Sequence, residues 1–477
     1  MIRPSRLLAL GFLLLGSVGP RPLPAQTPDL SGELGEVRTM LQSPAVQRAM
    51  EYVRASRDET LTEWLSLCNA DGASGREGNR SRLLYKLFRI YGLDDVRIDD
   101  SGTVIGIRRG VGGGPTVVLN AHHDNVALSP EGQSVEAFIA DGRVWCPAAF
   151  DDLAGVTQML GVLRALNAAG IETRGDIWFV GLTGEEAPHG PDHPDASPGV
   201  EHLVRAHVPR DLDWRRGDIL MQFHGRGGAG VTTGSTPLRN RSQLRVFAPF
   251  EGDRWSPHAV DALGRILVRL SEEVRDPRAG EEPFPVRVQP DPNSAVLYLN
   301  MAMIHASDII ARPASEAWVR FDMRSDANAR LQQAHDAIRR IAAEETARMG
   351  GGFSFSYEIN SVNGTEAGVP GWNPADNRPA RVAAAAGVAL YGSEPLIDPT
   401  TGCGDCVRAF ASGMPAMSFR GGVREDFGDP VGTLSGYDPV RLRSTSHDVT
   451  ESAEIAQLWP GLKQGLLFAI TYAGLAN

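Results

Sequence analysis

Apolar residues recur at three-to-four spacing through residues 30–95, the pattern of amphipathic helices. The period changes at 96–110, which reads as strand, turn, strand. Residues 115–124 are a buried apolar run that ends in His122, His123 and Asp124. A helix is predicted over 155–170, stopped by Gly170. Residues 176–186 are a second apolar strand, closing on Glu185 and Glu186, and 218–225 a third, closing on His224 and Gly225. Strands alternating with helices predict an α/β fold, a mostly parallel sheet with helices on both faces. Ligands of such sheets bind beyond the carboxyl ends of the strands. Here three apolar strands end in polar clusters.

Near residue 240 the texture changes. Residues 242–250, 295–305 and 316–325 read as strands, and 258–274 and 329–345 as helices. That order predicts an α+β module inserted into the larger domain. Residues 413–422 and a final helix over 453–474 resume the first pattern. The expected organisation is a leader at 1–25, a main domain in two segments at 26–236 and 353–477, and the insert at 237–352. Stretches rich in Gly, Pro and Asp at 188–199 and 424–439 read as surface loops.

Composition narrows the class. Of 477 residues, 42% are hydrophobic and 22% charged, which excludes wholesale disorder and a polytopic membrane protein. A net charge of −11 excludes a general nucleic-acid binder, which needs a basic face. Arg3 and Arg6, a short apolar run and a small-residue ending near Ala25 read as a secretory signal. The run is shorter than the roughly 20 residues a spanning helix needs. The expected compartment is periplasmic or extracellular, with no stable membrane insertion after cleavage. Export permits disulfides. Four cysteines, Cys68, Cys146, Cys403 and Cys406, are few for so long a chain. The Cys403/Cys406 pair reads as a local disulfide or as small buried residues rather than a metal site, which would need a second such pair.

Seven of the eleven histidines lie between 122 and 224. In His122-x-Asp124 an imidazole can ligate zinc while the carboxylate orients the ring. Asp151 and Asp152 open a helix, where acids also serve as caps. Glu185 and Glu186 follow an apolar strand and could be a metal ligand and a general base. His447 lies near the final helix. Each cluster is ordinary alone; their order is not. It resembles the dinuclear zinc peptidases and deacylases of the peptidase T, carboxypeptidase G and acetylornithine deacetylase family. Residues 98–110, 148–156, 175–187, 307–325, 404–422 and 445–455 carry the likeness.

The resemblance implies two divalent metal ions, with zinc the expected one. Their ligands would be His122, Asp151, Glu186, His224 and His447, with Asp151 bridging. Asp124 would orient His122, and Glu185 would be the general base. It also implies a cis peptide at Asp151–Asp152 and an insert that acts as a lid of the dimerisation type. Asp405 and Arg420 are candidate substrate contacts, or a loop cap and a solvated loop arginine. The chain departs from the family pattern at His224, where Asp or Glu is usual. Imidazole as a substitute ligand is the expectation; a structural His224, or His123, His189 or His193 in its place, is the alternative. The lid departs too: Pro249 or Phe250 falls where a histidine is usual, and Arg312 rather than Asn precedes Pro313. The function implied is an exported exopeptidase, dipeptidase or N-acyl amino acid amidohydrolase. Its substrate would be a short peptide or N-acyl amino acid, and it could form a homodimer through the lid. The other reading is a catalytically silent periplasmic protein that binds peptide or metal.

Overall fold

The structure is a computed structural model that describes residues 29–126, 136–186, 198–224, 230–234, 238–249, 257–279, 296–306, 313–325, 327–363, 369, 372–373, 377–392, 397–402, 404–420, 423–428 and 451–476. The expected leader, His189, His193, Phe250, Arg312, Cys403 and His447 lie outside the described residues, as does the Arg420 side chain.

Helices α1 (Ser31–Gln42), α2 (Pro44–Ala55), α3 (Arg57–Asn69) and α4 (Gly78–Ile90) open the chain. In α2, Val46, Ala49 and Val53 form one buried stripe, and Pro44 sits in the first turn, where a missing N–H costs nothing. Strands β1 (Asp94–Ile98), β2 (Val104–Arg108) and β3 (Val117–His122) follow, then the short pair β4 (Phe138–Ala140) and β5 (Arg143–Trp145). A π-turn, Ala149–Leu153, leads into α5 (Ala154–Ala168), which is buried from Ala154 to Leu166. Next come β6 (Ile177–Leu182), α6 (Pro198–His207), β7 (Ile219–Gln222) and β8 (Gly230–Gly234).

The chain then builds β9 (Leu238–Phe247), α7 (Ala259–Glu273), β10 (Tyr298–His305), β11 (Glu316–Ser325), α8 (Asn328–Met349) and β12 (Ser354–Asn363). It returns with α9 (Arg378–Tyr391), β13 (Ile397–Gly402), α10 (Gly404–Ala411), β14 (Ala416–Arg420), β15 (Ser452–Glu454) and α11 (Ile455–Ala473).

The main sheet has the order β1-β2-β6-β3-β7-β14-β8-β13. Its centre is parallel: β6, β3, β7 and β14 run the same way, while β2 and β8 run against their neighbours β6 and β14. Every residue of β3 and β6 is buried, as expected of central strands covered on both faces. One face packs α5 and α11 through Leu160, Leu163, Leu462 and Phe468; the other packs α6 and α10 through Val200, Leu203 and Phe410.

A second, antiparallel sheet has the order β10-β11-β9-β12 and its own core against α7 and α8, including Leu244, Val246, Ile266, Phe321 and Ile338. Strand β12, placed by the sequence beyond residue 352 in the second main-domain segment, pairs along β9 and belongs to this smaller sheet. Its residues Phe355 and Tyr357, which pack on the core, alternate with Ser354 and Ser356, so it lacks the continuous apolar run of a strand covered on both faces.

The cysteines also differ from expectation. Cys68, at the end of α3, is bonded to Cys146, just after β5, across 78 residues. Cys406 is disulfide-bonded as well. The Cys68–Cys146 bond therefore does fasten this chain, where the fold brings α3 against the segment that carries Asp151.

Candidate metal centre

The centre lies where the neighbouring parallel strands β3, β6 and β7 end. His122 is the last residue of β3, Glu185 and Glu186 follow β6, and His224 follows β7. Asp151 arrives from the π-turn before α5, with Asp151–Asp152 in the cis form. His122 Nε2 and His224 Nε2 each lie 3.0 Å from the same atom, Asp151 Oδ1. Donor atoms of His122, Asp151 and His224 lie within 4.8 Å of one another, and so do those of His122, Glu185 and Glu186. Two imidazoles converging on one carboxylate oxygen, beside two further carboxylates, form a nitrogen and oxygen donor set that fits a divalent transition metal.

Asp124 organises this cluster from behind. Its carboxylate lies 3.3 Å from His122 Nδ1 and accepts the Ser74 hydroxyl at 2.6 Å. It also accepts the backbone N–H groups of Glu185 at 3.2 Å and Glu186 at 2.9 Å. Burial works against its charge, but His122, Ser74 and the Glu186 N–H outweigh it and hold Asp124 below the usual carboxylate range. His122 turns Nε2 toward Asp151 because Nδ1 faces Asp124.

A buried arginine supports the same strand end. Arg80 donates to the carbonyls of Leu67, Ala70 and His123 and to the Asn125 side chain. Gly72 leaves room for it: a Cβ there would stand 2.4 Å from the guanidinium carbon. His123 is not among the converging donors. It meets the Ser81 hydroxyl at 3.0 Å, and burial pushes its proton affinity down to a pKa of about 3, so the ring is neutral.

The π-turn is held by Glu451. One oxygen, Oε1, accepts the N–H of Phe150 at 2.8 Å and of Asp151 at 2.7 Å. The Glu451 carbonyl accepts from Cys146 at 3.1 Å. Asp152 points inward and accepts the Gly155 N–H at 3.2 Å; a Cβ on Gly155 would stand 2.3 Å from that carboxylate.

Asp405, at the start of α10, is buried and accepts from Gln222 at 2.8 Å. Burial and the nearby Glu185 push its carboxyl well above the usual range. The backbone of Arg420 ends β14, which is antiparallel to β8.

The smaller sheet places charged residues the sequence had not singled out within electrostatic reach of Glu185 and Glu186. Arg239 makes a two-pronged ion pair to Asp322, at 2.8 and 2.9 Å, and Arg324 joins the same carboxylate at 3.1 Å. Burial opposes the charge on Arg239, but Asp322 outweighs it, with help from Glu185 and Glu186. Burial pulls Arg241 down to about 10 against the same two glutamates. The alternation of Arg239, Arg241 and Arg245 along one strand face was the available signal. Glu451 and Ser74 had none, since they act across 300 and 50 residues of sequence, nor did Arg80, which reaches His123 across 43.

A parallel-centred α/β fold with acids and imidazoles gathered at its strand ends defines a class of metal-site protein. The chain belongs to Peptidase family M20/M25/M40, which it matches over residues 118–463. It is 30% identical over 200 residues to a cysteinylglycine-S-conjugate dipeptidase of Corynebacterium striatum; that match spans 38% of this chain and 41% of the relative's length. Among solved structures it is similar to human carnosine dipeptidase 1, at 12% identity over 90% of this chain and 99% of the other, with a TM-score of 0.64. A dinuclear metal-binding peptidase of Bacillus subtilis is similar at 14% identity over 88% and 99%, with a TM-score of 0.50. These structural likenesses show the fold.

Proposed function

We propose that the protein is an exported, metal-dependent hydrolase that cleaves an amide bond in a short peptide or an N-acyl amino acid. The observation that carries the reading is the single Asp151 oxygen 3.0 Å from both His122 Nε2 and His224 Nε2, with Glu185 and Glu186 alongside. His122, Asp151 and His224 would hold one divalent ion; Asp151, Glu186 and His447 would hold the other. The imidazole-rich set favours zinc. When bound, such a pair of ions acidifies water and polarises the scissile carbonyl.

The chain supplies the rest. Glu185 takes the proton of the attacking water and returns it to the leaving nitrogen, a transfer worth about 10²–10⁴ in rate. Asp124 fixes the ring of His122 and, through two backbone N–H groups, the turn that carries Glu185 and Glu186. The smaller sheet would act as the lid, its Arg239 and Arg241 within electrostatic reach of Glu185 and Glu186. Export is supported by the Cys68–Cys146 bond, of a kind that persists in oxidising compartments, and by the leader-like first 25 residues.

The test is metal content together with hydrolysis of a panel of dipeptides and N-acyl amino acids. The expected result is two ions per chain, activity on part of the panel, and loss of that activity in Glu185→Ala with metal retained. Full activity in Glu185→Ala overturns the mechanism. A protein with less than one ion per chain and no activity on the panel overturns the function.

A further inference from the structure

We propose that Glu451 is a positioning residue whose side chain sets the place of Asp151 and thereby the capacity of the centre to hold metal. This rests on the metal-site reading above. Glu451 acts on the turn through backbone N–H groups. Its Oε1 accepts two consecutive N–H groups, Phe150 at 2.8 Å and Asp151 at 2.7 Å. Consecutive N–H groups converging on one oxygen require the turn to keep one shape, and that shape directs the Asp151 carboxylate toward His122 and His224.

The backbone of Glu451 is fixed independently. The residue is 2% exposed. Its carbonyl accepts the Cys146 N–H at 3.1 Å, and the next residues, Ser452 to Glu454, form β15 on β5 in register Ser452↔Trp145. Cys146 is in turn bonded to Cys68 on α3. The glutamate is therefore anchored at its backbone, and its side chain is the part that spans to the turn. Both N–H groups are part-buried, so a lost acceptor is not simply replaced by solvent.

Geometry rather than charge is the requirement. Gln at 451 keeps an oxygen that can accept both N–H groups. Asp keeps the charge but is one methylene short. Ala keeps neither.

The experiment is titration of the apo protein with zinc, followed by calorimetry, for wild type and for Glu451→Gln, Glu451→Asp and Glu451→Ala, with thermal unfolding of each apo protein in chelator. We expect Glu451→Gln to bind zinc within about fivefold of wild type. We expect Glu451→Asp and Glu451→Ala to lose at least tenfold in affinity for one ion. Where activity is measurable, kcat falls by a similar factor while KM stays within about threefold. If Glu451→Ala fails to fold, the comparison of Glu451→Asp with Glu451→Gln decides. Wild-type zinc affinity in Glu451→Asp, or a loss in Glu451→Gln as large as in Glu451→Asp, overturns the proposal. A wild-type protein that binds two ions but hydrolyses nothing removes the proposed function and leaves this test intact.

Discussion

The carboxylate of Asp124 accepts the backbone N–H of Glu186 at 2.9 Å, joining two strand ends that are 62 residues apart. The same carboxylate faces His122 Nδ1 and accepts from Ser74 and Glu185. Asp124 thus accepts from three groups at once and faces a fourth. In Asp124→Asn one oxygen becomes an NH2 that confronts donors. Loss of an outer-shell carboxylate of this kind costs about 10–100-fold in activity or metal affinity. We expect kcat/KM to fall in that range, measured on the best substrate of the panel. A variant within twofold of wild type would show that Asp124 does not organise the centre.

His224 stands 3.0 Å from Asp151 Oδ1 and replaces the carboxylate usual at this place in the family it resembles. We expect His224→Ala to hold one ion fewer per chain than wild type, by elemental analysis after dialysis. His224→Asp should keep both, since a carboxylate oxygen also ligates zinc. Two ions retained in His224→Ala would remove the residue from the ligand set.

The Cys68–Cys146 bond closes a loop of 78 residues. Chain-entropy arguments put removal of such a bond at about 2–5 kcal/mol. Cys68→Ser with Cys146→Ser should lower the urea midpoint accordingly. Unreduced peptide mapping of wild type should recover the linked pair; a free thiol at either position would refute the pairing.

His335 gives the smaller sheet a pH response. The ring, buried under α8, accepts from Asn240 at Nε2 and meets the Tyr357 hydroxyl at Nδ1, and that hydroxyl donates to Ser242. Burial, aided by the charge of Arg339, pulls its pKa down to about 4, whereas an unfolded histidine titrates near about 6.5. Between those values the unfolded chain binds the extra proton. Stability from this group is therefore full above pH ~6.5 and declines as pH falls toward ~4, by at most about 1.4 kcal/mol per unit for one proton. The urea midpoint of wild type should drop across that window more steeply than that of His335→Gln. Equal slopes would show that His335 is not the titrating group.

The parts of the molecule visible in the sequence were those with a local signature. Strands β3 and β6 are largely apolar runs, and each ends within three residues of a group that meets at the centre. His122, Asp151, Glu185, Glu186 and His224 could be named because each follows or opens such an element. What stayed hidden depends on partners far along the chain. Glu451 is one acid in a polar stretch until Phe150 and Asp151 are brought to it. Cys68 and Cys146 look unrelated until α3 packs against the segment after β5. Strand β12 was not predicted as a strand, because an edge strand with alternating serines carries little hydrophobic signal. Arg239 and Asp322 lie on different strands, and only the register Asp322↔Arg241 brings them within reach.

The smaller sheet enters the chain at β9 and leaves it at β12, and these two strands are neighbours, with Arg239 opposite Asn363. Paired residues of an antiparallel ladder stand only about 5 Å apart. The host fold therefore meets more than a hundred inserted residues as if they were a single tight turn. Changes of length or sequence between β9 and β12 therefore need not redraw the sheet that carries the metal centre. The arginines of β9 and the residues His122, Asp151 and Glu186 thus belong to two separately cored parts of the fold.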